Sequence, residues 1–236
     1  MKLIIRLIVS FIIFLTDVVY RNRPYPRFWV LETIARVPYF AYLSVLHLYE
    51  TLGFWRKADW LKVHFSETWN ELHHLLIMES LGGNNNWIDR FIAQHLAVAY
   101  YWVVAPLYAV LPRYAYYMME LIEKHAYHTY ETFLSERGED LKLQATPQVA
   151  INYYRDGDLY MFDEFQTGTI PESRRPKVDN LYDVFVNIRD DEYEHVKTMI
   201  ACQKPDARIT FKSPHTMIST STTKLTPENI THPIEF

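Results

Sequence analysis

Hydrophobic positions recur along this chain mostly at three- and four-residue intervals, the period of helices that bury one face. Trp29–Tyr49, Lys57–Met78, Arg113–Leu134 and Leu181–Ala201 carry that pattern, and Pro147–Tyr154 opens a shorter helix. Pro24 and Pro26 interrupt any helix running in from the N-terminus, and Pro38 is placed to kink the next one. Gly82–Asn86 is a loop, and the helix from Arg113 is expected to end near Gly138. Asp156–Asn180 holds Gly157, Gly168, Pro171 and Pro176 among charges and reads as a long irregular insertion, a kind of segment that is often functional. Residues 204–236, rich in Ser, Thr and Pro, read as a flexible tail. The triplet Asn229-Ile230-Thr231 matches a glycosylation acceptor, but such triplets are common by chance. The chain is therefore read as all-α, with one domain over residues 1–203.

Two segments break the usual balance. Leu7–Leu15 is an apolar run bracketed by Arg6 and Asp17, too short for the ~20 residues that span a bilayer. Lys2, Arg6, Ser10, Asp17 and Arg21 recur near helical spacing, which predicts a helix over residues 1–20 lying in a membrane interface with one wet face. A basic start before an apolar stretch also outlines a signal peptide, but Asp17–Arg27 lacks a small-residue cleavage pattern. Leu96–Leu111, within a helix of about residues 89–111, has no charge, is interrupted by Pro106 and is crowded with tyrosine and tryptophan. It too is short for a span. Either it is a buried core helix, or its aromatics sit at the headgroup level of one leaflet.

Composition and charge narrow the class. At 49% hydrophobic residues with 6 Gly, the chain has ample core material and little turn chemistry. Lys2, Arg6, Arg21, Arg23 and Arg27 against Asp17 give residues 1–30 a balance of +4, so the rest carries -8 of the net -4. A basic, apolar N-terminus on an acidic body suits an anionic membrane surface rather than nucleic acid. The single cysteine, Cys202, excludes an internal disulfide and a cysteine-based zinc or iron–sulfur site.

The chemistry lies in a repeated spacing. Glu71 and His74, and again Glu192 and His195, stand three residues apart. On a helix that is about 60° around the axis, so each pair points one way. Either pair alone is weak, because solvated helix faces carry such pairs often. Glu32 and a glutamate near 123 lie on the other two long helices. Di-iron carboxylate bundles combine these parts: one Glu from each of two helices and Glu-x-x-His from each of the other two. Carboxylate and imidazole suit iron, and four carboxylates offset two dications. Spacing alone does not choose Glu123 over Glu120, one turn earlier. Only the Glu-x-x-His rule prefers His74 to His73.

These segments resemble a known family. LETIARVPYF at 31–40, NELHHL at 70–75 and IRDDEYEH at 188–195 are similar to the alternative oxidases. ESLGGN at 79–84, EKHAYHTYETFL at 123–134 and GDLYMFDEFQT with RRP at 157–176 resemble the plastid-type, plastoquinol terminal branch. The resemblance runs from about Asp17 to about Gln203. It implies a ferritin-like four-helix bundle with a di-iron site, interfacial membrane attachment and a homodimer. It implies as iron ligands Glu32, Glu71, His74, Glu123, Glu192 and His195, with Asn70 and Asp191 orienting them. Tyr130 matches the family's tyrosine near the metals, and Arg27, Leu31, Ile122, Ala126 and Thr129 match its quinol pocket. Tyr193 stands where an alanine is usual, which places bulk beside the site. The start at Met1 leaves no room for a transit peptide, so a cyanobacterial or phage-borne protein at a thylakoid or cytoplasmic membrane face is expected.

The implied activity is oxidation of plastoquinol or another quinol with reduction of O2 to water at two non-haem irons, without proton pumping. Other readings of the same residues are a di-iron hydroxylase or desaturase, an iron-storing bundle, and a metal-free membrane-anchored scaffold. For Cys202, a plain buried thiol is the simpler reading than redox control.

Overall fold

The computed structural model describes residues 1–54, 58–156 and 176–204, with no side-chain description at residues 58–59. Most of the 156–180 insertion, the GDLYMFDEFQT motif and nearly all of the 204–236 tail lie outside the described residues. Among the described residues the chain is entirely helical: α1 (Lys2–Val19), α2 (Pro24–Thr51), α3 (Ala58–Ser80), α4 (Trp87–Val110), α5 (Pro112–Lys142), α6 (Gln148–Tyr154) and α7 (Leu181–Cys202). Helix α5 lies along α7, α2 lies along α3 and α4, α1 rests on α5, and α6 on α3.

Local chemistry sets the ends. Pro24 and Pro26 do mark the break between α1 and α2, but they form the first turn of α2 rather than precede it. A first-turn proline gives up an N–H that had no helical partner anyway. Asn86 caps α4 by accepting from the Ile88 N–H at 2.9 Å, and Asn180 caps α7 by accepting from the Asp183 N–H at 3.1 Å. Between α3 and α4, Gly82 adopts φ +79°, and a Cβ on Gly83 would meet Trp29 Cβ and the Tyr25 carbonyl at 2.7 Å each. Those two glycines let the loop turn hard against α2.

Gly138 does not end α5. It lies inside that helix, which runs on to Lys142, and a Cβ there would sit 3.1 Å from the Tyr182 ring of α7. Its cause is close approach of two helices.

Two apolar clusters build the core. One gathers Phe28, Tyr130, Phe133, Tyr153, Tyr154 and Phe185, the other Tyr39, Tyr42, Val104, Tyr108, Tyr116 and Met119. Between them lies a buried polar group, which Tyr130 reaches from the first cluster by bonding Glu32 and Tyr39 from the second by bonding Glu123.

The two unusual segments turn their apolar sides out. On α1 only Ile5 and Val9 are buried, while Leu7, Phe11, Phe14 and Val18 are exposed. Its polar residues are not simply a wet face. Arg6 Nε donates to Tyr117 Oη at 2.6 Å, Lys2 Nζ sits 4.4 Å from the centre of that ring, and Asp17 pairs with Arg27. They pin the helix to the bundle and leave its apolar residues outward.

Helix α4 buries one narrow stripe, Asp89, Ala93, Val104 and Tyr108, and exposes Trp87, Phe91, Leu96, Trp102 and Val103. A core helix would be covered all round. It begins nine residues before Leu96, and its 24 residues are long and apolar enough to cross a membrane by length and composition.

Candidate metal centre

Four helices each bring acid to one buried point. Glu32 comes from α2, Glu71 and His74 from α3, Glu123 from α5, and Glu192 and His195 from α7, and none is more than 2% exposed. Their donor atoms form two groups, Glu32, Glu71, His74 and Glu192, and Glu71, Glu123, Glu192 and His195, each with all atoms within 4.8 Å of one another. Glu71 and Glu192 belong to both groups. Each histidine meets the glutamate of the other pair: His74 Nδ1 lies 3.1 Å from Glu192 Oε1, and His195 Nδ1 lies 2.9 Å from Glu71 Oε1.

The rival candidates point elsewhere. Glu120 pairs with Lys124 and accepts from Gln203 Nε2 at 2.7 Å. His73 Nδ1 donates to the Trp69 carbonyl at 2.8 Å, with its ring stacked on Tyr153. A further buried acid one turn before Glu71, Glu67, is likewise engaged elsewhere, bonded to His64 at 2.8 Å. Tyr193 is 49% exposed beside Tyr127, so its bulk faces outward and not into the site.

Hydrogen bonds orient the cluster from outside. Asp191 Oδ2 accepts from Asn70 Nδ2 at 2.9 Å and from Tyr154 Oη at 2.8 Å, and lies 3.2 Å from His74 Nε2. With that nitrogen engaged, His74 turns Nδ1 to the glutamates. Asn70 also donates to Tyr153 Oη at 2.8 Å. Tyr130 donates to Glu32 Oε1, and Tyr39 donates to Glu123 Oε1.

Charge is the dominant fact here. Burial pushes Glu71 well above the usual carboxylate range, and the neighbouring Glu192 and Glu32 push it further. Burial and Glu192 do the same to Glu123. Burial would also raise Glu192, but hydrogen bonds from His195 and His74 outweigh it and bring it below its ordinary value. His74 is raised: burial opposes its charge, but Asp191, Glu192 and Glu32 favour it more. Among the described residues, Glu32 Oε2, Glu71 Oε2, Glu123 Oε2 and Glu192 Oε2 are buried without a hydrogen-bond partner. Buried carboxylate oxygens need partners, and two dications would satisfy all four. The donor set therefore fits a pair of iron ions.

A cavity of about 560 Å³ opens beside the cluster, lined by Asp17, Tyr20, Arg27, Phe28, His125 and Thr129 among others. Arg27 Nη2 bridges Asp17 at 2.5 Å and Thr129 Oγ1 at 3.3 Å. Of the pocket residues expected from the resemblance, Arg27 and Thr129 line this cavity, while Leu31, Ile122 and Ala126 are not among its lining residues. Sequence reasoning missed Phe28, whose ring stacks on Tyr130 at 4.3 Å and 5° and joins the cavity wall to the cluster. His125, in sequence only a neighbour competing with the metal-ligand candidates, lines the cavity instead, held below the ordinary imidazole range by burial and Arg27 against the opposing charge of Asp17. A charged residue followed by an aromatic one is too common a pattern to single out Phe28. Tyr39, by contrast, had a usable signal: it repeats the spacing of Tyr130.

Comparison with known proteins agrees with this geometry. A family model described as alternative oxidase matches residues 3–204. The chain is 58% identical over 213 residues, 90% of its length, to "Ubiquinol oxidase 4, chloroplastic/chromoplastic" of Arabidopsis thaliana, and covers 60% of that relative. It is 28% identical over 181 residues to "Ubiquinol oxidase 2, mitochondrial" of the same plant and 28% over 184 residues to the protein of that name in Nicotiana tabacum. Each match covers 76% of the chain, and the chain spans about half of those two relatives.

Proposed function

The chain belongs to the alternative oxidase family, and from that premise we propose that it oxidises a membrane quinol and reduces O2 to water. One observation carries the reading: a six-residue carboxylate–histidine cluster touches, through Tyr130 and Phe28, a cavity of quinol size that holds a polar Arg27–Thr129 pair. Glu32, His74, Glu123 and His195 would each hold one iron, and Glu71 and Glu192 would serve both. Two irons so held supply the redox chemistry that takes four electrons to O2.

The chain's own residues do the rest. Arg27 donates an N–H to a quinol ring oxygen, with Asp17 and Thr129 fixing its guanidinium. Phe28 in the cavity wall would hold the quinol ring one stacked tyrosine, Tyr130, away from the cluster. Burial and the nearby Glu32 keep the Tyr130 phenol protonated, so it remains a hydrogen-bond donor, and any electron and proton it lent would be returned by quinol within the same four-electron cycle. Each quinol gives two electrons and two protons, so two quinols balance one O2 and two waters. No proton need cross the membrane, and the reaction does not pump.

The isoprenoid tail of a quinol is insoluble, which gives the exposed apolar faces of α1 and α4 a purpose. The protein is read as seated in one leaflet, as a homodimer in keeping with its family. Plastoquinol is the proposed donor, on the strength of the branch motifs and the chloroplastic/chromoplastic relative. A cyanobacterial or phage setting draws no support from the relatives, and where the sequence starts says nothing about compartment.

Oxygen uptake by purified, iron-loaded protein in lipid tests this, with plastoquinol and ubiquinol analogues compared. Uptake is expected with a quinol alone and is abolished by Glu123→Ala. Arg27→Lys is expected to raise the quinol KM about tenfold, the loss of one charge-assisted bond, with iron content unchanged. Uptake that needs a protein electron donor would instead favour a hydroxylase or desaturase.

A further inference from the structure

The centre has a second tyrosine, and its position is not arbitrary. Tyr130 follows Glu123 by seven residues on α5, and Tyr39 follows Glu32 by seven residues on α2. Seven residues are close to two helical turns, so each tyrosine shares a face with the glutamate of its own helix. Both then reach across. The α5 tyrosine bonds the α2 glutamate, and the α2 tyrosine bonds the α5 glutamate. Combined with the reciprocal Glu-x-x-His pairs of α3 and α7, this gives the cluster an approximate two-fold arrangement. The two halves are Glu32 with His74, and Glu123 with His195.

Tyr39 is built into its half. It is fully buried, and its ring packs against His195 at 5.4 Å and 60° and against His64 at 6.3 Å and 27°. Tyr42 closes a third side at 6.2 Å. A ring so enclosed has one place to put its hydroxyl. Burial and the carboxylate of Glu123 keep that hydroxyl protonated, and so a donor.

We propose that Tyr39 is a positioning residue for one of the two metals: its hydrogen bond occupies Glu123 Oε1 and leaves Oε2 as the oxygen offered to the ion. Tyr130 does the same for Glu32, whose Oε2 is likewise buried and without a hydrogen-bond partner. Each of these two glutamates would thereby present one oxygen to an ion, with its other oxygen held by a tyrosine. The inference rests on the di-iron reading of the cluster and goes beyond it by assigning one tyrosine to each half.

The test compares full-length wild type, Tyr39→Phe, Tyr130→Phe and the double variant. Each is titrated anaerobically with ferrous iron and then examined as the iron-57 form by Mössbauer spectroscopy. Wild type is expected to bind two irons. Tyr39→Phe should keep two sites, weaken one by about tenfold or more, and shift one quadrupole doublet. Tyr130→Phe should shift the other doublet, and the double variant both. If Tyr39→Phe does not fold, 3-fluorotyrosine at position 39 keeps the ring and should shift that same doublet. Wild-type affinities and spectra in either Tyr39 variant overturn the assignment, as does a shift of the doublet that Tyr130→Phe moves. A wild type that binds no iron overturns the metal centre itself, and this assignment with it.

Discussion

The interior of the bundle and the outer faces of α1 and α4 are each the reverse of what water would favour. Inside, four glutamates and two histidines are buried at 2% exposure or less. Outside, Phe11, Phe14, Trp102 and Val103 each stand at more than 60% exposure. Isolated apolar residues on a surface are ordinary, but two whole helix faces are not. Buried carboxylates without enough partners are costly in the same way. The two regions teach one lesson: each is arranged for a neighbour other than water. The interior has the donors to hold cations, and the exterior offers apolar faces that, on the reading proposed above, meet lipid.

The largest expected effect comes from removing the interior's partner. Metal present at about a thousand times its Kd adds ~4 kcal/mol to folding stability. For a domain of this size that is roughly 10 °C, so chelation should lower the melting temperature by about that much. Glu71→Gln then separates charge from fold. It should abolish full iron loading, yet make the metal-free protein more stable, because Glu71 is crowded by Glu192 and Glu32. The pH dependence carries the same sign. The folded-state pKa of Glu71 lies above its ordinary 4.5, so above that value the unfolded chain gives up a proton that the fold retains. Metal-free stability from this group is full below pH 4.5 and falls as pH rises, whereas iron replaces the proton and removes the dependence. Calorimetry on both forms between pH 5 and 8 checks this. A metal-free Glu71→Gln protein that melts below metal-free wild type would break the comparison at its interior end.

How much of this was visible in the sequence depends on how local each cause is. The Glu-x-x-His pairs were legible because helix geometry alone turns residues three apart the same way. Glu32 was legible because an acid among apolar residues asks for a partner. Choosing Glu123 over Glu120 took the resemblance; in the fold Glu120 is engaged by Lys124 one turn on and by Gln203, just past the end of α7. Gly138 was misread because its cause, the Tyr182 ring, is far along the chain. Tyr39 was passed over because its value depends on which glutamate faces it across the bundle. On α1 the amphipathic pattern separated a polar from an apolar face, but it did not show that Arg6 on the polar one finds Tyr117 of α5, far along the chain.

The exterior is tested by adding charge to it. Phe11→Glu and Trp102→Glu each remove a large ring from a proposed lipid contact, about 2 kcal/mol of apolar transfer before the carboxylate's own cost is counted. Each should weaken partition onto anionic vesicles by at least tenfold in a flotation assay, with iron content unchanged. Glu139, already exposed on α5, is the internal standard: Glu139→Ala should leave partition as it is. Unchanged flotation by both ring variants would mean that something other than lipid covers these faces.

The smallest effect distinguishes the two sides of α1. If its polar residues served only to face water, Arg6 would matter little to the fold. In the structure Arg6 instead donates to Tyr117 of α5, so Arg6→Gln should cost the fold about 1 kcal/mol. The change removes a charge from a basic segment that meets an anionic surface, so binding to anionic vesicles weakens slightly as well. Neutral vesicles separate the two contributions. On them partition should hold, while hydrogen exchange in α1 speeds up because the helix is less firmly docked. Equal exchange rates in wild type and Arg6→Gln would show that α1 is held by its apolar side alone, through Ile5 and Val9.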